Sequence, residues 1–187
     1  MKKGTFSRTD IHTVWMHDDL FEFIQTDPPF FYTASDGAIV MPPPRLVTDF
    51  GSIPPAVRWL LNPVEYAPCY VNHDCLYQFA RVNCAYRLAV RPRMRSRGVA
   101  MSGGLFPRER PIFREYDSIE YEPVGGSPIN RWYADWLLSE MIYTLTGNAD
   151  FKRWCINVGL AAGGFAPWNS HADGRPKSAP WYWGDKR

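Results

Sequence analysis

No apolar run in the 187 residues approaches the ~20 needed to cross a bilayer as a helix. The basic start, Met1-Lys2-Lys3-Gly4-Thr5, is followed by Arg8, Asp10 and His12 instead of an apolar stretch, so no signal peptide is expected. Cysteine is scarce, and the four present (Cys69, Cys75, Cys84, Cys155) form no Cys-x-x-Cys pair. That excludes a disulfide scaffold and points to free thiols in a reducing compartment. There is no internal repeat and no heptad. With 17 Pro and 14 Gly the chain is a poor candidate for a coiled coil or a plain helical bundle. What is present is the composition of a globular domain: 45% hydrophobic and 21% charged residues, with aromatics at 16% including 8 Trp.

The formal net charge of +2 averages two unlike parts. Arg81 to Arg114 holds nine Arg, no Lys and one acid, Glu109, and so carries +8, leaving −6 for the rest. The chain reads as a mildly acidic body with a basic insert.

The fold class expected is α+β: a small N-terminal antiparallel β-sheet, then a bundle of three to four helices interrupted by an irregular basic insertion. Ile11–Met16, Leu20–Ile24, Phe30–Thr33 and Ala38–Met41 have strand composition, and Asp36-Gly37 is a hairpin signal. Leu46–Thr48 leads into Asp49-Phe50-Gly51-Ser52-Ile53-Pro54, where Ser52 can cap a short helix from Pro55 to Leu61. Helices are expected over Ala67–Ala80, Ile129–Thr146 and Phe151–Ala162, with Trp132, Trp136 and Trp154 in the core. One domain is expected, with a β-rich part (1–54), a helical part (55–83 and 129–166), the insertion (84–128) and an aromatic tail (167–187). Within the insertion, Ile112–Tyr121 is expected to form at most a small hairpin.

Four polar residues stand out against apolar surroundings: Asp49, His73, Asp74 and Asp135. His73 and Asp74 are adjacent on one helix and so point about 100° apart. Asp135, from a second helix, can hold one ring nitrogen of His73 and leave the other for a water or substrate, the logic of an oriented general base. Asp74 and Asp49 are then hard oxygen donors for a divalent cation such as calcium; with His73 included, zinc is conceivable. The bland alternative is a His–Asp pair that only ties two helices together. The catalytic reading requires His73 and Asp135 within hydrogen-bond reach beside an open cleft.

Thr48-Asp49-Phe50-Gly51-Ser52-Ile53-Pro54, His73-Asp74-Cys75-Leu76-Tyr77 and Arg131 through Ala134-Asp135 to Glu140-Met141 together resemble a phage and prophage family of unknown function with a TDxxSIP-like loop, an HDxLY-like helix and a later Ala-Asp helix. The resemblance covers roughly 39–80 and 130–164, and it implies a bacteriophage protein working in the host cytoplasm or in the virion. The stretch between the second and third motifs is usually short in that family, whereas here the basic insert fills it. His73-Asp74-Cys75-Leu76-Tyr77 is also similar to the His-Asp helix of secreted phospholipases A2. That similarity implies a hydrolase in which His73 activates water and Asp74 holds calcium. The glycine-rich calcium loop and the dense disulfides of those enzymes are lacking.

Arg87, Arg91, Arg93, Arg95 and Arg97 can follow a phosphate backbone or dock on an acidic protein. No nucleic-acid-binding motif accompanies them, so docking on other phage structural proteins is favoured. Trp181 and Trp183, in the Pro-rich tail, are expected to fasten it to this domain or to a neighbouring subunit. The function expected is a phage accessory protein with a hydrolase-type site. The alternative is a non-catalytic tail or neck component whose insert and tail bind neighbours.

Overall fold

The computed structural model describes residues 2–17, 20–49, 64–101 and 109–147, and the single positions Trp154, Ile156, Val158 and Trp168. The N-terminal part forms two small antiparallel sheets. β2 (His12–His17) pairs with β3 (Leu20–Ile24), and β3 pairs with β6 (Val47–Thr48). β1 (Thr5–Phe6), β4 (Tyr32–Thr33) and β5 (Ile39–Val40) form the other, in the order β1-β4-β5. Gly37 closes the β4–β5 hairpin at φ +90°, a conformation that favours glycine. Leu20 and Phe23 of β3 are buried, and being three residues apart they face opposite sides of the strand. Phe23 meets the ring of Phe30, and both are fully buried with Tyr32 and Leu46.

Two helices close this core. α1 (Ala67–Phe79) has Pro68 in its first turn, where the missing N–H costs nothing, and ends at Ala80 in the left-handed conformation. It is apolar nearly all round and buried on most sides. α2 (Arg131–Thr146) begins at Asn130, whose side chain accepts from the Tyr133 N–H, and ends at Gly147 with φ 78°. Its buried face is Ala134, Leu137, Leu138, Met141 and Ile142, at helical spacing. Glu140 is also fully buried. Its carboxylate accepts from the Tyr32 hydroxyl at 2.7 Å, from the Ser35 N–H at 2.9 Å and from the Ser35 hydroxyl, and so ties the β4–β5 hairpin to α2.

The expected architecture is corrected here. The described residues are mostly β, with eight strands in three sheets and two helices, and they do not form a three- to four-helix bundle. The expected helix at 55–61 lies outside them, as does most of the one at 151–162, of which Trp154, Ile156 and Val158 are described as helical. The tryptophans are also misplaced by the sequence reading: Trp132 is 65% exposed and Trp154 59%, with Trp136 at 36%. Trp132 and Trp136 fall beside the 134-137-138-141 stripe, not on it. Among the described residues no helix is long and apolar enough to cross a membrane.

The largest correction concerns the insertion. It is not irregular: β7 (Arg81–Met101) and β8 (Glu109–Pro128) pair antiparallel from Arg81↔Pro128 to Met101↔Glu109. At 3.4 Å per residue the ribbon is about 65 Å long. Val82, Cys84, Tyr86, Leu88 and Val90 alternate with Asn83, Ala85, Arg87, Ala89 and Arg91, a strand period that the Arg, Gly and Pro content conceals. Pro92 falls in a register shift between Arg91 and Met94, as a proline in a ladder should. Ile112–Tyr121 pairs with β7 instead of folding on itself. Among the described residues, the base is held by the body. Tyr86 meets Phe79 and Cys75, and Asn83 accepts from the Ile39 N–H.

Two outcomes are expected. Glu140→Ala strands three donors and should cost about 3 kcal/mol in urea unfolding, with Glu140→Gln costing less. Replacing residues 91–118 by Asn-Gly, which restores a two-residue hairpin turn between Val90 and Ile119, should leave the melting temperature within about 2 °C of the full chain.

Candidate functional site

α1 presents His73 and Asp74 to different neighbours, as their adjacency on a helix requires. His73 Nε2 lies 3.3 Å from Asp135 Oδ1 on α2. The same carboxylate oxygen accepts the Tyr77 hydroxyl at 2.6 Å, and Arg131 Nη1 stands 3.5 Å from the other, Oδ2. Tyr77 is one helical turn beyond His73 and Arg131 one turn before Asp135, so each helix supplies two members of the cluster. The His73 and Tyr77 rings are in contact, with centroids 4.2 Å apart. Burial first, then the hydrogen bond to Asp135, push the Tyr77 hydroxyl well above its ordinary pKa. Trp168 packs edge-on against Tyr77 at 5.2 Å.

Asp74 faces the end of β6. Its carboxylate accepts from the Thr48 hydroxyl and from the backbone N–H of Asp49. Burial and then the charge of Asp49 drive its pKa well above the usual carboxylate range, and the two hydrogen bonds offset only part of this. Gln78 donates to the Val47 carbonyl at 2.9 Å and fixes α1 to the same strand.

Of the residues picked out from sequence, His73 and Asp135 are thus brought together, and Asp74 and Asp49 form a second pair. Among the described residues, no open cleft is lined by them. His73 is 3% exposed, and the cleft of about 480 Å³ described in this structure is lined by Asp36, Asn83, Asn130 and Tyr133, among others, and by none of the four. Among the described residues no group of three or more His, Cys, Asp or Glu is placed to hold a metal ion. Phe50 to Pro54, most of the first motif, lies outside the described residues, as do Trp181 and Trp183.

Tyr77, Arg131 and Thr48 stand within the three motifs quoted from the sequence, but no role was expected of them. The available signal for the first two was their one-turn spacing from His73 and from Asp135, and for Thr48 its place beside Asp49.

The five arginines are strung along β7. Arg87 pairs with Glu122 at 3.2 Å. In register, Arg95 is opposite Glu115, Arg91 opposite Ser118 and Arg97 opposite Phe113, while Arg93 falls in the register shift beside Asp117. Two of the five, Arg87 and Arg95, thus stand opposite an acid in register. Over residues 81–128 nine Arg meet five acids, for +4, half the excess counted up to Arg114.

Comparison with family models, with curated proteins and with solved structures gives no match. The two resemblances noted in the sequence rest on their motifs alone.

Asp74 makes stability depend on pH in a definite sense. Its folded-state pKa lies above the ordinary 3.8, so the folded chain holds the proton more tightly than the unfolded one. Stability falls as pH rises from the unfolded value through the folded one. Asp74→Asn should therefore stabilise the chain at neutral pH and have little effect once the solution is acidic enough to protonate Asp74 in both states. Urea unfolding of both chains at the two pH values measures this.

Proposed function

We propose that the chain is a bacteriophage-encoded accessory protein with a hydrolase-type site, in which His73 is the general base and Asp135 orients it. The observation that supports this reading is the division of labour on α1: His73 faces a carboxylate held by Tyr77 and Arg131, and the next residue, Asp74, faces a second carboxylate, Asp49. A base fixed through one ring nitrogen, next to paired carboxylates, is an arrangement suited to activating water. The donors at Asp74 and Asp49 are all oxygen, which suits a hard cation such as calcium and not zinc. A cation there would supply Lewis-acid stabilisation of a developing oxyanion. The chain's own part is to hold the His73 ring, to keep Asp135 in place through Tyr77, and to present the carboxylates of Asp74 and Asp49.

Burial favours a second reading. At 3% exposure His73 also fits a tie between α1 and α2. The chain would then be a non-catalytic virion component, with the β7–β8 ribbon as its arm toward neighbouring subunits. An isolated two-stranded ribbon of this length is only marginally stable in water, which favours its lying against another surface.

His73→Gln separates the two, because Gln can still hydrogen-bond Asp135. Hydrolysis of p-nitrophenyl butyrate with calcium present should fall about 10²- to 10⁴-fold in the variant. Equal rates in the two chains, together with a lowered melting temperature for the variant, would overturn the hydrolase reading in favour of the tie.

A further inference from the structure

The cleft of about 480 Å³ lies where three elements meet: the β4–β5 turn, the base of the ribbon and the start of α2. It is distinct from the His73 cluster, and its volume falls in the range of small-molecule sites. We propose that it is a carbohydrate-binding groove, taking a neutral oligosaccharide through vicinal hydroxyls.

Its polar groups are fixed in advance. Asp36 Oδ2 accepts the Tyr133 hydroxyl at 2.6 Å, and Oδ1 accepts the Ala38 N–H at 3.0 Å. The bond from Tyr133 holds Asp36 below the usual carboxylate range, so the groove offers a fixed, ionised acceptor. Asn83 and Asn130 are each anchored through the side-chain oxygen, to the Ile39 and Tyr133 N–H groups at 2.7 and 2.9 Å. The NH2 half of each exposed amide is the half left for a ligand. Ser127 adds a hydroxyl. The Tyr133 ring lines the groove and is backed by Trp136, on which it stacks at 5.5 Å and 30°.

These groups discriminate between ligand classes. No Lys or Arg lines the groove, so an anion would meet Asp36 without compensation. An apolar ligand would desolvate a carboxylate and two amides without replacing their hydrogen bonds. A single exposed carboxylate is not a cation cage. A sugar satisfies the set: paired hydroxyls match a planar carboxylate and amides, and the C–H face of the sugar lies on the Tyr133 ring. This site does not depend on the hydrolase reading, and either can fail without the other.

The test is titration of the full chain with cellohexaose, maltohexaose and the hexamer of N-acetylglucosamine, followed by tryptophan fluorescence and calorimetry. At least one should bind saturably. Asp36→Asn should weaken it about tenfold or more. Asn130→Asp keeps the oxygen that caps α2 and removes the NH2 donor, so it should weaken binding with the melting temperature unchanged. Absence of a saturable response to all three sugars would overturn the proposal. So would equal binding by both variants.

Discussion

Helix α1 is buried on nearly every side, and most of the polar side chains it carries find a partner inside the fold, the Tyr70 hydroxyl having none among the described residues. Asn72 turns back to the Pro68 carbonyl, and Gln78 reaches Val47. Asp74 takes Thr48, Cys75 meets the Tyr86 hydroxyl, and His73 and Tyr77 share Asp135. Apart from that of Asn72, which stays within the helix, these contacts go to β6, to β7 and to α2. One buried helix with a polar residue on each of its faces thereby sets where the sheet, the ribbon base and α2 stand. The candidate site is a by-product of the same constraint, since its members are the polar groups that α1 brings inside.

The cost of burial is unevenly spread. Asp135 is held by Tyr77 and lies near Arg131, and Glu140 is enclosed by donors. Asp74 is the exception, since it sits beside another carboxylate and its proton is held unusually tightly. A fold that keeps such a residue next to His73 carries a local conflict of the kind that accumulates at functional sites. That conflict keeps the catalytic reading in play although His73 is enclosed.

The ribbon follows a different rule. Its base is part of the core through Tyr86 and Val82, while Leu88 is already exposed. Its charges are arranged across the ladder, with Arg87 against Glu122 and Arg95 opposite Glu115. The Arg87–Glu122 pair supports the strands. Arg87 therefore has a role within the arm itself, and counting both strands of the ribbon reduces the +8 excess to +4.

Local signals were legible in the sequence wherever the physics is local. The Asp36-Gly37 turn and the extents of α1 and α2 follow from backbone preferences of nearby residues, and those expectations match the structure closely. The His73–Asp135 contact was also anticipated, because both residues are polar islands in apolar helices. Which tryptophans face water was not legible, since that depends on which stripe of α2 meets α1 and the sheets. Nor was the ribbon, whose partner strand lies up to 47 residues away, between Arg81 and Pro128. Pairing at that distance is decided by register and by what the apolar face finds to cover it, and those are properties of the assembled fold. Sequence alone determined the ends of the helices and the chemistry they bring inside. Tertiary structure decided the sheet architecture, the enclosure of His73 and the register that sets Arg87 against Glu122, because each depends on residues that meet only after the chain has folded.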